Sequence, residues 1–192
     1  MDQDAKLMLK FAKDEISAFE QLLKKYKESV INIAYRFIQD RAEAEDIAQD
    51  VFLRVYYSAK RYKPVSKFST WIYKITKNVC LNRLRAQKRF RTVFLDTPVS
   101  SDEGEIIQET PNSKPNHPLE NLEKMELKHV VKEAIDSLPP NQRMAIILQK
   151  YEGLSYKEIS EIIGCSISAV DSLLQRAKQS LKKKLASYFG KK

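Results

Sequence analysis

The stretch at 154–185, LSYKEISEIIGCSISAVDSLLQRAKQSLKKKL, decides how the rest of the chain is read. Ser155 with Glu158 three positions on has the form of a capping box, in which hydroxyl and carboxylate each take one of the free amides at a helix start. Gly164 marks a turn, because glycine enters the left-handed conformation that ends many helices without a Cβ penalty. Ser166 can cap the helix that follows. Ile159, Ile163, Val170, Leu174 and Ala177 recur at helical spacing and supply the contacts that pack the two helices together. This is the pattern of a helix-turn-helix, although an ordinary exposed helical hairpin shares it. In a helix-turn-helix the second helix enters the major groove, which turns Ser168, Ser172, Gln175 and Arg176 toward base edges. Lys178, Lys182, Lys183 and Lys184 then lie near phosphates. Gln and Arg side chains suit two-point recognition of adenine and guanine edges respectively.

Working back from this motif, helical patterns run from Leu119 to Leu138 and from about Gln142 to Tyr151, separated by Pro139 and Pro140. Before them, 95–118 reads LDTPVSSDEGEIIQETPNSKPNHP. Pro98, Pro111, Pro115 and Pro118 break any helix, the charge turns acidic, and hydrophobic periodicity disappears. A connection of this length argues for two helical domains joined by a flexible linker.

Upstream of the linker, 62–91 reads YKPVSKFSTWIYKITKNVCLNRLRAQKRFR. A short polar loop, Val65 to Ser69, precedes a helical run with Ser69 or Thr70 as its expected cap. Ile72, Ile75 and Val79 mark one face. Lys74, Lys77, Asn78, Leu81, Arg85 and Lys88 fall within about a 100° arc on the other. From Val51 to Leu95 there is no Asp or Glu but twelve Lys and Arg. Such one-sign density is tolerated best where a polyanion relieves it, the alternative being a solvated basic face. Tyr62, Phe68, Trp71 and Tyr73 lie beside the loop, and planar rings can stack on unpaired bases.

Earlier still, periodic runs cover about 5–13 and 17–38, and Asp40 can cap a third helix, RAEAEDIAQDVFLRVYYSA. Glu43, Asp46 and Asp50 line one side of that helix. Three readings stand: carboxylates holding a divalent metal, an ordinary acidic helix start, or a docking face for a basic protein.

Composition bounds the alternatives. The chain has 192 residues, net charge +9 and 43% hydrophobic residues, enough for one domain or two small ones with real cores. A strongly basic balance points to nucleic acid or an anionic membrane surface. No apolar run approaches the roughly 20 residues that span a bilayer, and no secretory signal opens the chain, so a cytoplasmic location is expected. Cys80 and Cys165 lack partners at ligand spacing, and His117 and His129 lie outside any nucleophile arrangement. No catalytic residue, metal or cofactor is expected, and the chain does not read as an enzyme.

Taken together, RAEAEDIAQDVFLRVY at 41–56, KFSTWIYKITKNVCLNRLR at 67–85, LPPNQRMAIILQKYEGLSYKEISEIIGCS at 138–166 and SAVDSLLQRAKQSLKKKL at 168–185 resemble an extracytoplasmic-function (ECF) sigma factor of the sigma-70 family. The resemblance implies an all-α protein, with region two at 1–94, a linker at 95–118 and region four at 119–192. It implies that promoter DNA and core RNA polymerase are the partners. Glu43, Asp46, Asp50 and Arg54 would bind the β′ clamp helices. Lys67, Phe68, Trp71, Lys74, Lys77, Asn78 and Arg85 would meet the minus-ten element and an unpaired non-template base. Ser168, Ser172, Gln175 and Arg176 would read the minus-thirty-five element, with region four also touching the β flap. An anti-sigma factor is a frequent further partner in such proteins. Many family members carry a basic residue where this chain has Asp171 and an Arg where it has Leu173.

Overall fold

A computed structural model describes residues 2–95, 127 and 129–189. The expected linker from residue 96 onward, and the expected helix start after Leu119, lie outside the described residues. Among the described residues all regular structure is helical: α1 (Gln3–Phe11), α2 (Ile16–Ile38), α3 (Arg41–Ser58), a 3-10 turn (Ala59–Arg61), α4 (Phe68–Leu95), α5 (129–136), α6 (Pro140–Lys150), α7 (Tyr156–Ile163) and α8 (Ile167–Phe189).

The first cluster is α1 to α4. Leu22, Tyr26, Val30, Ile33, Ala34 and Phe37 of α2 are buried against Ala44, Ile47, Ala48, Val51, Phe52 and Val55 of α3. Each large apolar side chain withdrawn from water in this way contributes about 1.5–3 kcal/mol. The chain reverses between the two helices at Gln39, whose φ of 68° is left-handed and whose amide closes on Tyr35 O at 2.7 Å. Asp40 then caps α3 by accepting from Glu43 N at 2.8 Å, as its sequence position predicts.

The amino-terminal helix is tied in by a buried carboxylate. Asp4 accepts from Tyr26 Oη at 2.6 Å and from Lys25 Nζ at 2.7 and 2.8 Å. Burial, reinforced by that carboxylate, pushes the Tyr26 phenol upward and keeps it a donor. The cap of α4 differs from expectation. Asp2 reaches across to accept from Phe68 N at 3.0 Å, so α4 begins at Phe68 under a cap 66 residues away, while Thr70 is buried.

The second cluster is α5 to α8. Ile146, Ile147 and Leu148 of α6, Ile159 and Ile162 of α7, and Val170, Leu174 and Ala177 of α8 form its interior. Ser155 and Glu158 make the complete capping box, Gly164 has φ 83°, and Ser166 Oγ accepts from Ala169 N at 3.2 Å. The two clusters are in contact. α7 packs on α4, α6 packs on α2, and one apolar core runs through both.

Candidate nucleic-acid interface

α4 presents a basic strip whose members differ in their surroundings. Lys74, Asn78 and Arg85 are exposed, as the helical spacing predicts, and Arg85 lies 3.5 Å from Asn82. Trp71 is half-buried, stacked edgewise on Tyr62 at 4.9 Å and tilted on Phe68 at 5.6 Å. Phe68 corrects the sequence expectation: it has no exposed surface, enclosed by Tyr26, Tyr62 and Trp71, and so cannot offer its ring to a base in this conformation. Its neighbours Tyr62 and Tyr73 are likewise mostly interior. Aromatic residues that follow a polar loop look exposed in sequence; here they anchor that loop to the core.

Lys67 and Lys77 are held by the second cluster. Lys67 Nζ lies 2.8 Å from Glu158 Oε1 on α7. The hydrogen bond to Lys67, with further bonds from the Ser155 hydroxyl and amide, lowers the Glu158 carboxyl to about 2. Lys77 is only 9% exposed and donates to Ile163 O, at the end of α7, at 3.2 Å. Burial pulls its ammonium below the usual lysine range, with Lys74 adding to the effect. Between them, Tyr73 Oη donates to Glu152 Oε2 at 3.1 Å. Burial moves both groups up, the Tyr73 phenol to about 12.

A second polar face lies on α8. Ser168, Ser172, Gln175 and Arg176 are all exposed on it. Ser168 Oγ shares a hydrogen bond with Ser166 Oγ at 3.0 Å, and Ser172 Oγ donates to Ser168 O. Gln175 Nε2 donates to Asp171 Oδ2 at 2.9 Å, one turn back. One amide hydrogen is thereby committed, leaving a second donor and the carbonyl free in a fixed plane, the set that matches an adenine edge. Asp171, acidic where the resemblance implies a basic residue, thus has a partner on its own helix.

The α3 face is divided. Asp46, Asp50 and Arg54 are exposed one turn apart, with Leu53 and Tyr57 exposed among them. Glu43 is turned toward α4, its Oε2 3.5 Å from Arg83 Nε. Among the described residues no group of three or more His, Cys, Asp or Glu side chains is arranged to hold a metal, and Glu43, Asp46 and Asp50 make no exception. Beside this face, a groove of about 580 Å³ opens between α2 and α3, lined by Leu23, Ile31, Phe52, Leu53 and Tyr56 among others. No described helix is long and apolar enough to cross a membrane.

One residue escaped the sequence reading. Arg143 on α6 is 7% exposed and donates through Nη1 to Phe37 O, the free carbonyl end of α2, at 2.7 Å. Its Nη2 donates to Asp136 O, and Nη1 also pairs with Asp136 Oδ1 at 2.9 Å. The signal available was its place in RMAIILQ, a helix apolar on most sides and therefore buried, where a lone guanidinium must find acceptors. Arg36 lies over the ring of Tyr151 at 3.6 Å and completes the contact between clusters.

The family model for Sigma-70 region 2 matches residues 22–90, and that for Sigma-70, region 4 matches 128–181. A curated relative, the ECF RNA polymerase sigma factor SigW of Bacillus subtilis, is 31% identical over 90% of this chain and 91% of its own. Among solved structures, CnrH in complex with the cytosolic domain of CnrY is similar with a TM-score of 0.71, at 20% identity, over 97% of this chain and 99% of that one. The sigma factor RpoE in complex with the anti-sigma factor NepR, from Bartonella quintana, gives a TM-score of 0.66 at 23% identity over 87% and 96%.

Proposed function

The chain belongs to the sigma-70 family as an ECF sigma factor that directs transcription initiation with core RNA polymerase, and from that premise we propose how its surfaces divide the work. Residues 1–94 act as region two, 95–118 as linker and 119–192 as region four. The observation that carries this reading is the coexistence of two separate polar faces of different character. One is an acid-free, lysine- and arginine-rich strip on α4; the other is a face of Ser, Gln and Arg at the start of a helix-turn-helix second helix.

Lys67, just ahead of α4, and Lys74, Lys77 and Arg85 on it hold the strand backbone of the minus-ten element, while Asn78 and the accessible edge of Trp71 meet an unpaired base. Charge attraction and stacking are set against unpairing, which costs a few kcal/mol per extruded base. On α8, Arg176 and Gln175 read base edges in the major groove, and Ser168 and Ser172 bond to phosphate or base. The exposed Asp46, Asp50 and Arg54, bordered by Leu53 and the α2–α3 groove, form the surface for the β′ clamp helices; Glu43 contributes through its pairing with Arg83. Region four touches the β flap. The protein acts in the cytoplasm, and an anti-sigma factor restrains it, as NepR binds RpoE.

The test is reconstitution. Adding the purified chain to core polymerase yields initiation at specific sites on genomic templates. Asn78→Ala lowers open-complex formation several-fold while leaving association with core polymerase unchanged. Loss of both together contradicts the division of labour between α4 and α3.

A further inference from the structure

The outward face of α8 carries opposite charges at its two edges. Asp171 and Arg176 are separated by about 140° around the helix, with Ser168, Ser172 and Gln175 between them. Gln175 Nε2 holds Asp171 Oδ2 at 2.9 Å and, among the described residues, Oδ1 is left without a partner. A carboxylate on a DNA-facing helix needs a reason, since it repels phosphate. The attraction of acids to a helix start does not supply one: α8 begins at Ile167, and Asp171 lies beyond the first turn, where that attraction has faded. Nor does the other departure from the family pattern restore a cation beside it. Leu173 is turned to the inner side of α8, where it lines a cleft with Leu81 and Leu84 of α4. In the major groove the free oxygen of Asp171 meets base edges, and only amino groups satisfy it. Cytosine presents N4 with no acceptor of its own beside it; adenine N6 stands next to N7, while guanine and thymine present the acceptors O6, N7 and O4.

We propose that Asp171 is a specificity-determining residue of region four: its free oxygen accepts from cytosine N4 in the upstream element, beside the pair read by Gln175, and selects against guanine there. A basic side chain at this position, as the resemblance implies, favours guanine; the acid inverts that preference. The proposal rests on the assignment of α8 to the minus-thirty-five element.

The experiment uses the full chain with core polymerase. On a template where that complex initiates, the minus-thirty-five element is randomised, and the DNA that the complex binds is recovered and sequenced. The wild-type complex enriches cytosine over guanine about tenfold at one position, equivalent to ~1.4 kcal/mol. Asp171→Asn keeps an acceptor for the Gln175 amide but turns a donor toward the base. Cytosine enrichment at that position then falls to about twofold or less, while the preference at the pair read by Gln175 is unchanged. Binding to duplex of unrelated sequence rises in the same variant, because a charge that repels phosphate has gone. Asp171→Arg moves the preference to guanine. Cytosine enrichment that survives in both variants, or a wild-type complex with no cytosine-selecting position, overturns the proposal. So does a gain in affinity with every base preference intact, which makes Asp171 a general repulsive charge and not a reader. Arg176→Ala in the same selection separates the two levels. If it flattens one position while the Asp171 variants alter none, the role of α8 stands and the proposal alone fails; if neither residue affects any position, the assignment of α8 falls with it.

Discussion

Replacing Arg143 by Met tests whether the contact between clusters depends on one buried guanidinium. Met fills most of the space but leaves Phe37 O and Asp136 O without their donors. Phe37 O is one of the carbonyls at the end of α2 that have no partner within the helix. A hydrogen bond to a charged group contributes about 1.5–3 kcal/mol. Two are lost, together with the ion pair to Asp136; against this, the variant is relieved of a buried charge, whose burden is evident in the downward displacement of the Arg143 pKa by burial. The net expectation is a loss of about 2–3 kcal/mol. In a urea melt followed by circular dichroism, with a slope of about 2 kcal/mol per molar, the midpoint falls by about 1 M. Arg143→Lys retains the charge but not the fork that spans both carbonyls, and falls between wild type and Met. Asp136→Asn removes only a partly exposed ion pair and costs about 1 kcal/mol or less. A Met variant within about 0.5 kcal/mol of wild type, or Lys and Met variants equally destabilised, refutes the reasoning.

The carboxyl of Glu158, depressed in the folded chain to about 2 from 4.5, contributes stability that is complete above 4.5 and lost as pH falls through that window toward 2. The stability gap between wild type and Glu158→Gln is therefore constant at neutral pH and narrows in acid; a gap undiminished at pH 2 rejects this. Phe68→Ala costs about 3–5 kcal/mol, because a fully enclosed ring is removed, and a thermal melt unmoved by it contradicts the burial. Arg176→Ala costs about 1–3 kcal/mol at one base pair of the upstream element in a base-substitution scan. In the same scan Asp171→Ala flattens the preference at the pair read by Gln175, and undiminished preference there means that the Asp171–Gln175 bond plays no part in orienting the amide.

Local signals were the legible ones. The capping box at Ser155 and Glu158, the cap at Asp40 and the left-handed Gly164 depend on residues within three or four positions, and sequence spacing carries that information directly. The apolar stripes of α2 and α3 were equally plain, because periodicity identifies the face that must be buried. What periodicity does not carry is which element covers which face. Lys77 falls on the polar side of α4, yet α7, 86 residues on in the chain, lies over it. The cap of α4 comes from Asp2 rather than from Ser69 or Thr70, since an acceptor brought by the fold competes with any acceptor nearby in sequence. Phe68 misled for a related reason: an aromatic flanked by Lys67 and Ser69 reads as surface, but the first turn of α4 points it into the space beside Tyr26.

Glu158 divides its two oxygens, Oε2 to Ser155 and Oε1 to Lys67. Only the second of these joins the clusters; the first lies within the start of α7 and holds the side chain in place at the head of that helix. The acceptor is therefore ordered by its own helix, and pairing with Lys67 requires little further ordering of Glu158.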